Sequence, residues 1–338
     1  MHPIIFPLQL KMKNDSLKIM NKIKCAVVGV GYLGKFHAEK YAKLPNAKLV
    51  AVCDTDEKRC YEIATLHNVE AIKNYKELLG KIDAVSIAVP TTSHYSIAKF
   101  FLQNNIHVLL EKPITSTVKQ AKELINITKS NNPVLQIGHL ERFNPVLMAL
   151  KNTIQKPLFI ESLRLAPFKL RSIDVNVILD LMIHDIDIVQ YLVDSPIRQI
   201  HASGAPVLSD KADIANVRIE FMSGCVANVT ASRISLKPKR HLRVFQHNAY
   251  FSGDLINRTL GIHRKGDNEM FPGIPEIIRE NLSLQDSDAL LDEIKAFLDS
   301  IINKTPPQVS GEDGMRALQT AIQITDIISS NIEKYRGQ

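Results

Sequence analysis

Tryptophan is absent from these 338 residues and aromatic side chains supply only 6% of them, so the core must be filled by Ile, Val and Leu rather than by large rings. Cysteine is scarce as well. Cys25, Cys53, Cys60 and Cys225 form no CxxC pair and have no histidine at zinc-finger spacing, so neither a disulfide framework nor a metal site is expected. Reduced thiols point to a cytoplasmic protein. No stretch approaches the roughly 18 consecutive apolar residues of a membrane span, and the run Ile4-Ile5-Phe6-Pro7-Leu8 is too short and proline-interrupted for a signal peptide. Residues 1–21 read as a loose leader, with Met12 or Met20 as candidate starts. A block of one charge is missing too: 42 Lys and Arg against 35 Asp and Glu leave a net charge of +7, with the cations scattered among acids. Nucleic-acid binding is therefore not expected, whereas a modest positive excess suits steering of an anionic small molecule.

What is present is an ordinary globular composition, 45% hydrophobic and 23% charged, at a length that suits two domains of roughly 100 to 200 residues. From Lys22 short apolar runs alternate with amphipathic stretches, the pattern of βαβ units. Strands are predicted at Ile23–Val28, Leu49–Cys53, Ala84–Val89, Val108–Leu110 and Val134–Ile137, and helices at Gly34–Leu44, Glu57–His67, Tyr75–Leu79, Tyr95–Asn104 and Thr117–Ser130. After about Arg142 a helical stretch, Val177–Leu192, gives way to β-branched runs at Asn216–Phe221, Val226–Ser232 and Leu242–Phe245, which predicts a mostly antiparallel sheet. Two more helices are predicted at Asp286–Asn303 and Glu312–Ile332, parted by Pro306-Pro307. The expected fold class is α/β: a doubly wound parallel sheet of Rossmann type over residues 22–141, then an α+β domain with an open antiparallel sheet over 142–338.

Strand Cys25–Val28 runs into Gly29-Val30-Gly31-Tyr32-Leu33-Gly34, a GxGxxG that closes a strand and opens a helix. The first glycine permits the turn, the second lets backbone approach a pyrophosphate, and the third allows close helix–strand packing, while the helix N-terminus offers free N–H groups. Asp54 ends the next strand, twenty residues after Gly34, where a carboxylate accepts ribose hydroxyls and repels a 2′-phosphate. NAD is favoured over NADP, although Lys58 and Arg59 stand close by in sequence.

Glu111-Lys112-Pro113 follows an apolar strand, at the end where open α/β sheets take their ligands; taken alone, such a lysine is ordinarily a solvated chain. Asp180 and His184 are four residues apart on a helical stretch and share one face. An acid orienting an imidazole suits removal of a hydroxyl proton, whereas an isolated instance is ordinarily a surface ion pair.

The GxGxxG, the Glu-Lys-Pro and the Asp180-x-x-x-His184 together resemble the glucose-fructose oxidoreductase, inositol dehydrogenase and MocA family over nearly the whole chain from Lys22. The resemblance implies that Lys112, Asp180 and His184 surround the nicotinamide and substrate. It also implies cofactor contacts from Gly29, Gly31, Tyr32, Leu33, Gly34, Asp54, Glu111 and Lys112, and from the Pro90-Thr91-Thr92-Ser93-His94 loop through Pro90, Thr91 and His94; Ser93 is equally readable as a helix N-cap. Gly138-His139-Leu140-Glu141-Arg142-Phe143-Asn144-Pro145, the Asp180–Asp187 stretch and Thr230-Ala231-Ser232-Arg233 resemble the branch that oxidises the C3 hydroxyl of UDP-N-acetylglucosamine ahead of a PLP-dependent aminotransferase, in synthesis of the 2,3-diamino sugar of lipid A. In that branch Arg142, Asn144, His184 and Arg233 are expected at the substrate, with Lys239 and Arg240 read as solvated, and residues 142–338 are expected to bind substrate and assemble a homo-oligomer. Many members carry a glycine run where this chain has Val175-Asn176-Val177-Ile178-Leu179, a departure that bears on substrate approach. Two other readings stay open: a dehydrogenase of the same fold for another polyol or a UDP-sugar uronate, and an NAD-responsive binding protein without catalysis.

Overall fold

The computed structural model describes residues 22–168 and 175–336; the expected leader, 1–21, lies outside the described residues. Strands β1 (Ile23–Val28), β2 (Ala47–Cys53), β3 (Glu70–Ile72), β4 (Ala84–Ile87), β5 (His107–Glu111) and β6 (Leu135–Gly138) alternate with helices α1 (Gly34–Lys43), α2 (Glu57–His67), α3 (Thr91–Gln103) and α4 (Val118–Asn131). They form a six-stranded sheet in the order β3-β2-β1-β4-β5-β6, with every pairing parallel. A parallel sheet is covered on both faces, so its strands are apolar throughout: all four residues of β4 and of β6 are buried. The strand order reverses between β1 and β4, and the crevice outside that point is where a dinucleotide belongs.

The predicted strands lie within a residue or two of the observed ones. The Tyr75–Leu79 pattern forms a single 3-10 turn, Tyr75–Leu78. The helix expected from Tyr95 starts four residues earlier, at Thr91, behind Pro90. Ser93 therefore sits in the first turn, donating its N–H to the Pro90 carbonyl at 2.9 Å, and is not the cap.

Beyond a short turn at Leu140–Phe143, helix α5 (Pro145–Thr153) is capped by Asn144, whose Oδ1 accepts the Val146 N–H. An eight-stranded sheet follows: β7 (Pro157–Leu165), β8 (Ile197–Ala205), β9 (Ile214–Phe221), β10 (Val226–Ser232), β11 (Lys239–Gln246), β12 (Ala249–Asp254), β13 (Thr259–Phe271) and β14 (Ile274–Ser283). Its order is β14-β13-β12-β11-β7-β10-β9-β8; only β7 and β10 run parallel, and the other pairs are antiparallel. One face packs on α6 (Ile183–Val193) and α8 (Gly311–Arg336) around Ile186, Val217, Val229, Leu242 and Ile324. The stretch expected to be one helix, Val177–Leu192, opens with a π turn at Ile178–Met182.

Helix α7 (Ala289–Asn303) returns to the first sheet. Its Ile294, Phe297 and Leu298 pack with Cys25, Val27, Tyr41 and Leu109, while Val309 and Leu318 join the core on the other face of that sheet. The two sheets are thereby locked together, with the strand ends of the first facing the helical layer of the second. No helix of the described residues is long and apolar enough to cross a membrane.

Candidate active site

The glycine turn is built as its sequence demands. Gly29 has φ +85°, and a Cβ there would lie 2.6 Å from the Ala88 carbonyl oxygen. A Cβ on Gly34 would lie 1.7 Å from the Gly29 oxygen, whereas one on Gly31 meets nothing within 4 Å. The first and third glycines are thus required by packing, and the second faces open space at the mouth of α1, where Tyr32 and Leu33 are exposed. That geometry fits a pyrophosphate laid across the turn.

Asp54 caps the turn from the side. One carboxylate oxygen accepts the Val30 N–H (2.9 Å) and Arg59 Nε (3.2 Å); the other accepts the Asp56 N–H (2.9 Å) and Arg59 Nη2 (2.8 Å). Burial alone would raise its pKa, but these donors outweigh it and hold the carboxyl below its ordinary range. A cavity of about 520 Å³ lies beside it, lined by Lys58, Tyr61 and Lys73 among others. For Asp54 to accept ribose hydroxyls, the half-exposed Arg59 must swing away.

At the carboxyl end of β5 the lysine and the acid of Glu111-Lys112-Pro113 part company. Lys112 Nζ reaches across to α6's approach and donates to the backbone carbonyl of Asp180 at 2.7 Å. Thr91, Lys112, Asn176 and Asp180 line one cavity of about 650 Å³. A second, of about 870 Å³, lies beyond Leu181 and is lined by Glu141, Asn144, Arg164, Arg240 and Arg258. His184 stands on α6 one turn further on. Burial first, then the positive charges of Lys112 and Arg164, push its imidazole well below the ordinary range, so it is neutral at pH 7. Its Nδ1 has no hydrogen-bond partner among the described residues.

Several of the predicted site residues are engaged by internal partners. The Glu111 carboxylate turns away from the crevice to His37 Nε2 (3.0 Å), behind which Ser86 Oγ joins His37 Nδ1 (3.2 Å) and the Tyr41 hydroxyl (2.9 Å). His94, expected on the nicotinamide side, is buried, with its ring nitrogens against the carbonyls of Pro113 (2.8 Å) and Val89 (2.9 Å). The Asp180 carboxylate is not the partner of the His184 Nδ1; the π turn presents its carbonyl to Lys112 instead. Arg142 is buried and bidentate to Asp187 (2.6 and 2.8 Å) over the ring of Tyr191. Arg233 is buried on Asp213 (2.8 Å) and Ser209 Oγ (2.9 Å). Asn144 is spent as a helix cap and on the Leu255 carbonyl (3.0 Å). Each of these last three was expected at a substrate; all three have internal partners, and Asn144 also lines the second cavity. Arg240, read as solvated, is half-exposed yet bonded to Glu141 (3.0 Å) at the wall of the second cavity; Lys239 is exposed.

Sequence reasoning missed His37, His139, Arg164 and Glu293. His139 was within reach, as a histidine directly after a strand end in a quoted motif. Arg164, on Asp185 and Glu141 (2.9 Å), and Glu293, from α7, carry no local signal because their partners are distant in sequence.

The class of protein follows from where these parts meet: a dehydrogenase that seats a dinucleotide on one sheet and closes the reacting end against the helices of another. A family model described as "Oxidoreductase family, NAD-binding Rossmann fold" matches residues 23–139, and the GFO/IDH/MocA C-terminal domain matches residues 168–252. The chain is 37% identical to UDP-N-acetylglucosamine 3-dehydrogenase of Acidithiobacillus ferrooxidans, over 93% of this chain and 100% of that protein. The solved structure of that enzyme superposes with a TM-score of 0.86, at 36% identity, covering 92% of this chain and 99% of the other. The myo-inositol 2-dehydrogenase of Thermotoga maritima is 28% identical over 88% of this chain and 93% of its own. The chain belongs to the glucose-fructose oxidoreductase, inositol dehydrogenase and MocA family of NAD-binding oxidoreductases.

Proposed function

We propose that the protein oxidises the C3 hydroxyl of UDP-N-acetylglucosamine to the 3-keto sugar nucleotide, using NAD in preference to NADP. The observation that carries this reading is the 37% identity maintained across the full length of a relative named for that reaction; the inositol dehydrogenase is the more distant match. NAD, when bound, supplies the hydride acceptor. Gly29, Gly31 and Gly34 cradle the pyrophosphate against α1, and Asp54 receives the ribose once Arg59 is displaced. His184, neutral and one turn beyond the cavity-lining Asp180, takes the hydroxyl proton. Lys112 donates to the developing alkoxide from the position where it now donates to the Asp180 carbonyl. Arg240 and Arg258, at the wall of the larger cavity, suit the diphosphate.

A 3-keto sugar nucleotide is a substrate for a PLP-dependent aminotransferase, so the reading extends to the 2,3-diamino sugar of lipid A. The four buried, unpaired cysteines fit a reducing cytoplasm. The outer face of the second sheet carries an aromatic row, Phe159, Phe245, Tyr250 and His263, in successive ring contacts of 6.0, 4.8 and 5.4 Å, and a second copy of the chain is the cover we expect for it.

The test is NADH formation at about 340 nm with UDP-N-acetylglucosamine, its uronate, free N-acetylglucosamine and myo-inositol, each with NAD and with NADP. Signal from UDP-N-acetylglucosamine with NAD alone is expected. Faster turnover of myo-inositol or the uronate overturns the substrate, and faster turnover with NADP overturns the cofactor preference.

A further inference from the structure

His139 follows the last residue of β6 and is 1% exposed. Its ring stands edge-on to that of His184, centroids 6.3 Å apart at 87°. Neither of its nitrogens has a hydrogen-bond partner among the described residues. A neutral imidazole offers one donor and one acceptor, and leaving both unmet in a protein interior is costly. Asp187 Oδ2 is 4.0 Å from His139 Nδ1, beyond a hydrogen bond, while its carboxylate is held by Arg142. The charged groups around His139 are Asp187 on α6, Arg142 beyond β6, Lys112 at the end of β5 and Asp313 on α8. Around His184 the charges that weigh most are the cations Lys112, Arg164 on β7 and Arg240 on β11.

This arrangement leaves the base of the proposed reaction with a difficulty. His184 collects a proton among three cations with no carboxylate beside its Nδ1, so an imidazolium there is poorly held. Behind it lies a second neutral ring with an anion 4.0 Å away. We infer that His139 is a relay and positioning residue for His184: the proton taken from the sugar hydroxyl is passed inward to His139, whose imidazolium the Asp187 carboxylate stabilises. The sugar O–H bond breaks as an N–H bond forms on the outer nitrogen of His184. The N–H on its inner nitrogen then breaks as one forms on His139, with one water bridging the rings. The electron pair of the C–H bond leaves as hydride and does not enter the relay. The inference rests on the reading of His184 as the base.

The experiment compares the full-length wild type, His184→Asn, His139→Gln and His139→Ala in single turnover with NAD and UDP-N-acetylglucosamine. Melting temperature and NAD affinity are recorded for each variant. Both His139 variants are expected to keep NAD affinity and KM while kcat falls about a hundredfold, within the range of a positioned proton-transfer group. Added imidazole should restore His139→Ala, and the solvent deuterium isotope effect on both variants should exceed that of the wild type. A His139→Ala enzyme within threefold of wild type, or one slowed but indifferent to imidazole with an unchanged isotope effect, overturns the relay and leaves the base reading standing. An active His184→Asn overturns the base reading and the relay with it, and a wild type silent on this substrate overturns the substrate reading on which both depend.

Discussion

His184 combines partial exposure with an imidazole that burial and nearby cations keep neutral. A neutral imidazole can accept a proton at pH 7, and the preceding turn holds Lys112 through the Asp180 carbonyl. We therefore expect His184→Asn to lower single-turnover NADH formation by about 10²–10⁴-fold while NAD affinity, read by fluorescence titration, stays within about twofold. A variant that loses NAD binding as well would mean the ring organises the cofactor side instead. Lys112 and His184 were legible because their motifs fix them at a strand end and on a helix face. The pairing of Asp180 with His184 was not, because the π turn at Ile178–Met182 depends on how the helix enters the domain. The burial of Arg142 and Arg233 was not legible for a related reason: a buried arginine and one at an anion site look alike in sequence, and their partners Asp187 and Asp213 lie elsewhere in the chain.

At the scale of elements, α7 is the piece whose position has the largest consequence. It follows the second sheet in sequence yet fills the face of the first, with Phe297 fully buried against residues of β1 and α1. Truncating Phe297 to Ala should cost about 3–5 kcal/mol, through lost transfer energy and the cavity left behind, and should weaken NAD binding because α1 carries the glycine turn. Chemical denaturation followed with NAD titration checks this; a loss below about 1 kcal/mol would show that α7 is only loosely docked. Five of the six strands of the first sheet were legible because strands buried on both faces read as unbroken apolar runs; β3, with only Ile72 buried, was not. Strand β14 and the second half of β13 were not either: their residues are largely exposed, and only Leu260 and Ile262 at the start of β13 mark an inner face. Helix α5 was missed although Asn144-Pro145 is a cap followed by proline at the first helical position, a signal that local reading can use.

Across the whole molecule the buried titratable groups act on stability in opposite directions. His94, His139 and His184 are all depressed, chiefly by burial. Below about pH 6.5 the unfolded chain protonates these rings and the folded one does not, so each removes up to about 1.4 kcal/mol of stability per pH unit as pH falls toward its folded value. Glu293 behaves in the reverse sense. Its oxygens are buried with no partner among the described residues, and burial together with the neighbouring Glu111 charge raises its pKa well above the carboxylate range. The proton it keeps in the folded state is a stabilising one below the unfolded value, and that contribution is lost progressively as pH rises toward the folded one. Above about pH 6.5 the histidine contributions are flat, so the pH dependence left from these groups is the loss of the Glu293 contribution on the way to its raised folded value. Glu293→Gln keeps the shape and removes the titration, so the decline with rising pH that Glu293 contributes should disappear while the histidine loss toward acid remains, as read between about pH 4.5 and 8.5. Melting curves of both proteins across that range decide it: an alkaline decline that survives in Glu293→Gln would mean that Glu293 is ionised in the fold, with a cation at the His37, Glu111 and Glu293 cluster as the alternative source of its neutralisation.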